Sequence, residues 1–174
     1  MKLSDGVEQA IHCVALLSGL APDGAVSAAA LAGFHGVSPS YLLKHLQALS
    51  SAGILEAVPG PRGGYRLARR PEDITLLDIV LGVEGREPAF RCHEIRRRGP
   101  NPPGEHLLKA PCGIAAAMLR AERVYRDELR RVSIADILSG LAQSDDGTIA
   151  ARGCAFLALH ERRAGHSAGR KGVS

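Results

Sequence analysis

Residues 27–53 read SAAALAGFHGVSPSYLLKHLQALSSAG. Ser27 and Ser38 stand where helix N-caps are expected, and Pro39 suits the first helical position because its missing N–H is harmless there. Gly36, between the two helices, can adopt the left-handed backbone that ends a helix. The stretch therefore predicts two short helices joined by a tight turn, which is a helix-turn-helix motif.

The next residues, 54–68, read ILEAVPGPRGGYRLA and predict a β-hairpin. Residues 54–58 and 65–68 have strand character, and the segment between them is rich in proline and glycine, as a turn requires. A helix-turn-helix followed at once by a glycine-rich hairpin is much more specific than either motif alone. Together the two motifs predict a winged helix-turn-helix.

The rest of the chain is mainly helical. Apolar residues recur at helical spacing, and the helices predicted on this basis cover about 5–20, 74–85, 113–132, 133–141 and 148–163. The apolar stripe of the longest helix exceeds what so small a core can cover, so it is a candidate dimer interface. The predicted fold class is therefore mainly α with a small β wing, a winged helix-turn-helix domain plus a long dimerisation helix.

Four segments follow from this pattern. They are a winged helix-turn-helix domain at 1–85, an irregular loop at 86–112, the dimerisation helix with a short following helix at 113–141, and a C-terminal extension at 142–174. Prolines and glycines exclude a long helix from the loop. The last ten residues are rich in Gly, Ser, Arg and Lys, and we expect them to form a disordered tail.

Composition narrows the function classes. The 174 residues carry 22 Lys and Arg against 18 Asp and Glu, and the pI near 9.1 fits a phosphate-rich partner. No stretch approaches the roughly 20 apolar residues of a membrane span, and no signal-peptide pattern is present. We therefore expect a cytoplasmic protein with no membrane association. No Ser/His/Asp set or phosphate-cradling loop suggests an enzyme.

The four cysteines are scattered, which is typical of metal binding or redox chemistry rather than of a secreted disulfide scaffold. Cys13 and Cys154 are expected to be small buried hydrophobes. Cys92 and Cys112 both lie in the irregular loop, Cys112 at its last position. From the residues alone they are candidates for a reversible disulfide or for half of a metal site.

The predicted DNA interface combines the outer face of the second motif helix with the hairpin. Polar side chains there can hold phosphates and reach base edges in the major groove. An arginine of the hairpin can enter a narrow minor groove, and small residues let the backbone approach the duplex. The candidate DNA-binding residues are Ser38, Pro39, Ser40, Tyr41, Lys44, His45, Gln47, Arg62, Gly63, Gly64, Tyr65 and Arg66.

The segments VSPSYL at 37–42, GGY at 63–65 and ITLLDI at 74–79 resemble the IscR/NsrR family of bacterial winged-helix regulators. The resemblance extends over roughly residues 1–140. It implies a homodimer that binds a pseudo-palindromic operator in double-stranded DNA. It also implies an iron–sulfur cluster in many members of the family, which makes 86–112 the candidate cluster-binding loop.

The cluster ligands depart from the usual family pattern of three closely spaced cysteines. Cys92 and Cys112 alone cannot supply the four protein ligands of a two-iron cluster. Glu8 and His12, four residues apart on one helix face, are chemically capable of being the other two. The set Glu8, His12, Cys92 and Cys112 resembles that of a redox-sensing branch of the family. This resemblance implies one [2Fe-2S] cluster per subunit, with Glu8 and His12 from one protomer and both cysteines from the other.

That branch carries a tryptophan directly after its glutamate ligand, where this chain has Gln9, so Gln9 is the candidate switch residue. The resulting hypothesis is a DNA-binding transcription regulator that senses redox state or nitric oxide through the cluster. One alternative is a cluster-free regulator of the same fold that senses by thiol oxidation, another metal or a small ligand. A second alternative, a small redox enzyme or electron carrier, is disfavoured by the winged helix-turn-helix.

Overall fold

The computed structural model describes residues 3–61 and 63–163, so Arg62 and the predicted disordered tail lie outside the described residues. The helices and strands are α1 (Asp5–Leu17), β1 (Gly24–Ala25), α2 (Ala28–His35), α3 (Pro39–Ser51), β2 (Leu55–Val58), β3 (Gly64–Leu67), α4 (Leu76–Glu84), α5 (Glu105–Leu108), α6 (Gly113–Arg131), α7 (Ile134–Ser144), α8 (Thr148–His160) and β4 (Arg162–Arg163). The predicted fold class, mainly α with a small β wing, is confirmed.

The core is aliphatic and lies where α1, α3 and α4 meet. Leu42, Leu46 and Leu49 on the inner face of α3 are fully buried, as their helical spacing predicts. The same core receives Phe156 and Leu157 of α8. Much of the C-terminal extension is therefore packed on the winged helix-turn-helix rather than detached from it.

The turn between α2 and α3 forms as predicted, although only one of the two serines acts as a side-chain cap. Ser27 Oγ accepts a hydrogen bond from the N–H of Ala30 at 3.2 Å, and Gly36 has the left-handed φ of 65°. Ser38 occupies the N-cap position of α3, but its hydroxyl makes no cap bond and lies 3.1 Å from Ser40 Oγ. Pro39 fills the first turn of α3 as expected.

The wing is an antiparallel hairpin in which Leu55 lies opposite Leu67 and Val58 lies opposite Gly64. A Cβ on Gly63 would overlap the carbonyl oxygen of Val58, and one on Gly64 would overlap that of Val26. These two glycines are therefore required by close approach of the protein's own backbone. That these glycines also let the backbone approach DNA stays a prediction.

The C-terminal extension differs from the continuous helix predicted at 148–163. α8 ends at His160, and β4 then pairs antiparallel with β1, with Gly24 opposite Arg163 and Ala25 opposite Arg162. Glu161 at the junction accepts a hydrogen bond from the N–H of Ala21 at 2.9 Å. Pairing with a strand more than 130 residues earlier is a tertiary effect that helical spacing alone does not report.

One face of α6 packs on α4, and a neighbouring face is open. On the open face Ile114, Met118 and Val124 are 70%, 45% and 71% exposed. On the packed face Glu122 is buried and pairs with Arg126 at 2.6 Å. Among the residues that the structure describes, no helix is both long and apolar enough to cross a membrane.

Candidate nucleic-acid interface and cysteine site

The outer face of α3 carries most of the side chains predicted to touch DNA. The exposed members of the predicted set are Ser38, Pro39, Ser40, Tyr41, Lys44 and Gln47. Leu43, which was not among the predicted residues, is 37% exposed on the same face. Its position between Ser40 and Gln47 at helical spacing is a signal that could have found it. An exposed leucine here can contact a thymine methyl group.

His45 is the exception on α3, because it is only 6% exposed. A Cβ on Gly6 of α1 would lie 2.5 Å from its Nε2, and Tyr41 packs edge-on against its ring with the centroids 4.5 Å apart. Burial lowers the pKa of His45, Lys44 adds to that shift and Glu84 opposes it. The structure therefore does not support a direct DNA contact for His45, and places it where it sets the position of α3 against α1.

Two hairpin residues of the predicted interface make contacts within the protein. Tyr65 is 9% exposed and belongs to the core, and its backbone N–H donates to Val26 at 2.8 Å. Arg66 forms a two-pronged ion pair with Glu56 on the opposite strand, with both N···O distances at 2.9 Å. The bond raises the pKa of Arg66 and lowers that of Glu56. The charge of Arg66 is thus already balanced by a carboxylate of the same hairpin.

Cys92 and Cys112, here called the thiol pair, are brought together within one chain. Their thiols lie close enough for Cys92 to help lower the pKa of Cys112, and both cysteines are free. Cys112 is the N-cap residue of α6 and makes no regular side-chain cap bond, but the N–H groups of Ala115 and Ile114 lie close enough to its sulfur to lower the thiol pKa. The backbone N–H of Ala115 is the largest cause of the lowered Cys112 pKa, and Cys92 and Arg96 lower it further. A helix N-terminus and a guanidinium both favour the thiolate, which is the nucleophilic and metal-binding form.

Arg96 is held beside the thiol pair by its own contacts. Its guanidinium binds Glu94 at 2.5 and 2.9 Å and donates to the carbonyl of Ala110 at 3.1 Å. Glu94 adopts a left-handed φ of 47°, which is uncommon for a residue other than glycine. The predicted basic run is therefore not simply a solvated loop, because one of its arginines faces both cysteines.

Glu8 and His12, here called the α1 pair, lie apart from the thiol pair. Both are exposed and line one shallow pocket on α1. Among the described residues, no group of three His, Cys, Asp or Glu side chains converges as a metal site would require. A single chain therefore offers two pairs of donors in two places. The donor types fit a two-iron cluster only if a second chain supplies the missing pair.

The other residues near these pairs have mixed outcomes. Gln9 is half-buried, and its Oε1 is buried without a hydrogen-bond partner among the described residues. Cys13 is buried as predicted, and burial raises its pKa to about 12. Cys154 is exposed, so the prediction that it is a buried hydrophobe is wrong. It lies on the outer side of α8, which the sequence did not show to be docked by its opposite face.

Comparison with known proteins decides the class. The model of the Rrf2 family, described as an iron-dependent transcriptional regulator, matches residues 3–140. The chain belongs to the Rrf2 family. YwgB of Bacillus subtilis, named as an HTH-type transcriptional regulator, is 42% identical over 152 residues, which cover 84% of this chain and 90% of that protein. Proteins named IscR are also among the relatives of this Rrf2-family chain, so the resemblance found in the sequence is confirmed.

Solved structures give the same fold. CymR, the global cysteine regulator of B. subtilis, superposes with a TM-score of 0.60 at 21% identity, covering 80% of this chain and 97% of CymR. IscR of T. potens has a TM-score of 0.59 at 22% identity and covers 85% of this chain and 91% of its own. The fold and the relatives are those of transcription regulators, not of enzymes. Regulators of the Rrf2 family bind DNA and typically dimerise.

Proposed function

We propose that this Rrf2-family regulator acts as a homodimer on a pseudo-palindromic operator in the cytoplasm, and that it senses redox state or nitric oxide through a [2Fe-2S] cluster shared between subunits. The observation that carries the proposal is the thiol pair at the N-terminus of α6. Cys92 and Cys112, twenty residues apart in the sequence, contact each other beside Arg96, and the pKa of Cys112 is lowered. Such an arrangement favours thiolates, which cluster ligands must be.

The donor count supports a shared site. Each chain has two thiols in one place and a carboxylate with an imidazole in another. A two-fold dimer contains each pair twice, so two complete sets of four donors result, one cluster per subunit. Glu8, His12, Cys92 and Cys112 would hold the iron atoms. When bound, the cluster would supply a one-electron redox change tuned by its ligands.

The open face of α6 supports the dimer. Ile114, Met118 and Val124 expose apolar area on a helix whose other side is already packed. Contiguous exposed apolar surface of this kind marks protein–protein contacts. Because Cys112 is the N-cap of this same helix, any change at the thiol pair acts on the end of the proposed dimer helix.

Few contacts separate the α1 pair from the recognition helix α3. Gly6, two residues before Glu8, packs against the ring of His45 in α3. Ser4 donates from its N–H and hydroxyl to Glu84 of α4, at 3.0 and 2.5 Å. A displacement of α1 is therefore transmitted to the recognition helix through packed contacts, which is a basis for a population shift. Gln9, with its unpartnered buried oxygen, remains the candidate switch residue.

A second candidate function is thiol sensing without a cluster. It is favoured by the closeness of the two free thiols, Cys92 and Cys112, beside Arg96. An oxidant such as a peroxide would take two electrons from the pair, both thiol protons would be lost, and an S–S bond would form. A lowered thiol pKa at Cys112 would speed the first attack.

Iron and acid-labile sulfide analysis of protein purified without oxygen tests the proposal. About two irons and two sulfides per subunit are expected, with visible absorbance. Cys92→Ala is expected to abolish both, whereas Cys154→Ala, which removes an exposed thiol elsewhere, is the matched control. Colourless wild-type protein after reconstitution, with a Cys92–Cys112 disulfide that peroxide forms and thiols reverse, would replace the cluster with the second candidate.

A further inference from the structure

The C-terminal extension places a short strand beside the wing. β4 pairs with β1, and Val26, directly after β1, bridges to Tyr65 of the hairpin. The chain from β4 through β1 to the hairpin is therefore connected by backbone hydrogen bonds. β4 lies beyond residue 140, where the family match ends.

The two arginines of β4 face opposite ways, because side chains alternate along a strand. Arg162 turns toward the hairpin turn and donates from Nη1 to the carbonyl of Pro61 at 3.0 Å. Arg163 turns toward Glu161, with 4.0 Å between Arg163 Nη2 and Glu161 Oε2. Both arginines are exposed, but only Arg162 extends the wing.

The strand is firmly held. Glu161 accepts the N–H of Ala21 and lies so close to Gly24 that a Cβ there would overlap its carboxylate. In α8 Phe156 packs on Phe34 with ring centroids 4.5 Å apart, and Arg152 lies 4.7 Å over the same Phe34 ring. Arg162 is thus mounted on a docked element rather than on a free arm, so its position is fixed before any partner binds.

We propose that Arg162 is an additional DNA contact, whose guanidinium binds a backbone phosphate next to the one reached by the hairpin turn. Among the described residues of the hairpin, Arg66 is neutralised by Glu56. Arg162 adds a positive charge at the same turn, and no acidic side chain within the described parts of the chain pairs with it. An arginine of this kind recognises phosphate and carries no sequence information. The proposal rests on DNA binding by the wing and not on the cluster.

Fluorescence anisotropy with two labelled duplexes of about 30 base pairs tests the contact, one from upstream of the protein's own gene and one of unrelated sequence. Arg162→Gln keeps N–H donors for Pro61 and removes the charge. At about 0.1 M salt it is expected to weaken the dimer on both duplexes roughly tenfold or more, and to reduce the slope of log affinity against log salt by about two, one per subunit. Arg162→Lys is expected to restore most of the slope.

Arg163→Gln is the matched control, since it removes the same charge one residue away on the other face of β4. It is expected to change the salt slope by less than half as much. An unchanged slope in Arg162→Gln, or equal effects of the two variants, would overturn the proposal. Lys44→Ala on α3 distinguishes failure of the additional contact from failure of DNA binding as a whole. If Lys44→Ala weakens binding while Arg162→Gln does not, the α3 interface is supported and the contact by Arg162 is refuted. Equal melting temperatures of all variants exclude misfolding as the cause.

Discussion

The thiol pair and the α1 pair contribute two donors each to the proposed sensory site, yet their surroundings differ. Cys92 and Cys112 are already in contact, with the N-terminus of α6 and Arg96 directed at them. Glu8 and His12 lie open on α1. The thiol pair is thus already assembled within one chain, whereas the α1 pair is exposed on the surface, where a second chain could reach it. On the proposed function, therefore, the thiols need no second chain to act as a redox pair, whereas the α1 pair would bind metal only in a dimer.

The largest expected effect comes from mixing two defective chains. Cys92→Ala/Cys112→Ala and Glu8→Ala/His12→Ala are each expected to hold no iron. Unfolded and refolded together, half of the dimers are mixed, and each mixed dimer has one site with all four donors. Iron is expected to return to about a quarter of the wild-type content, measured by reconstitution without oxygen.

Mixing each defective chain with itself is the control for that recovery. No iron in the mixed sample, although each wild-type dimer loads normally, would mean that the two pairs do not meet across the dimer. Glu8 and His12 would then have no role in metal binding, and only the thiol pair would remain as a sensory element.

The alkylation rate of Cys112 is expected to exceed that of Cys13 by a large factor. The pKa of Cys112 is lowered from 9.0, chiefly by the N–H of Ala115, while the Cys13 pKa is raised to about 12 by burial. Because only the thiolate is alkylated, Cys112 modification should rise at a pH below 9.0 and Cys13 should stay unmodified until the protein unfolds. Peptide mass spectrometry after iodoacetamide pulses between pH 6 and 10 measures both at once (roughly one pulse per pH unit).

Arg96→Gln sharpens the same experiment. Arg96 contributes to the lowered Cys112 pKa, but it is not the largest cause. Its removal should shift the alkylation profile of Cys112 toward higher pH and leave Cys154 unchanged. A profile that does not move would show that Arg96 does not contribute to the activation of the thiol.

A substitution on α1 tests whether the helix that carries the α1 pair is coupled to DNA binding by α3. Gly6→Ala would overlap the ring of buried His45, and overpacking of this kind costs about 1–3 kcal/mol. Gly33→Ala in α2, where a Cβ meets nothing within 4 Å, is the control and should be neutral or stabilising. Urea unfolding and operator affinity measure the two consequences.

Adding His45→Ala to Gly6→Ala should recover part of the lost stability, because the smaller side chain removes the overlap. Additive losses in the double variant would separate α1 from the recognition helix. The α1 pair would then need another route to the DNA.

The smallest expected effect concerns the attachment of α1 to α4. Hydrogen bonds from the Ser4 hydroxyl and N–H lower the pKa of Glu84 below its ordinary 4.5. A lowered carboxyl pKa contributes stability above pH 4.5, and that stability is lost as the pH falls through the folded-state pKa. Ser4→Ala should therefore cost about 0.5 kcal/mol at pH 7 and nothing at low pH. Urea titrations at several pH values check it, and a cost that persists in acid would contradict the assigned bond.

Local patterns in the sequence were sufficient for most of the fold. Leu42, Leu46 and Leu49 mark the buried face of α3 by spacing alone, and Gly36 marks the turn by its conformational freedom. Side-chain roles were less predictable. Ser27 and Ser38 look alike in the sequence, but only Ser27 makes a cap bond, because the Ser38 hydroxyl faces Ser40 instead.

The functional residues divide in the same way. The exposed face of α3 followed from helical spacing, but His45 and Tyr65 are polar or amphipathic residues that the packing turned inward. Nothing local distinguishes them from Tyr41, which is 41% exposed. Cys154 shows the converse, a residue expected inside that the docking of α8 leaves on the surface.

Most helices, and the helix-turn-helix with its wing, could be predicted from the sequence alone, because backbone preferences and periodicity act over a few residues. The family was recognised from short sequence motifs. Only the tertiary structure decided which distant residues meet. It brings Cys92 close to Cys112 at the start of α6, packs Gly6 against His45, and places β4 beside the wing. These contacts depend on how whole elements pack and on chain closure over many residues. No short-range pattern in the sequence records them.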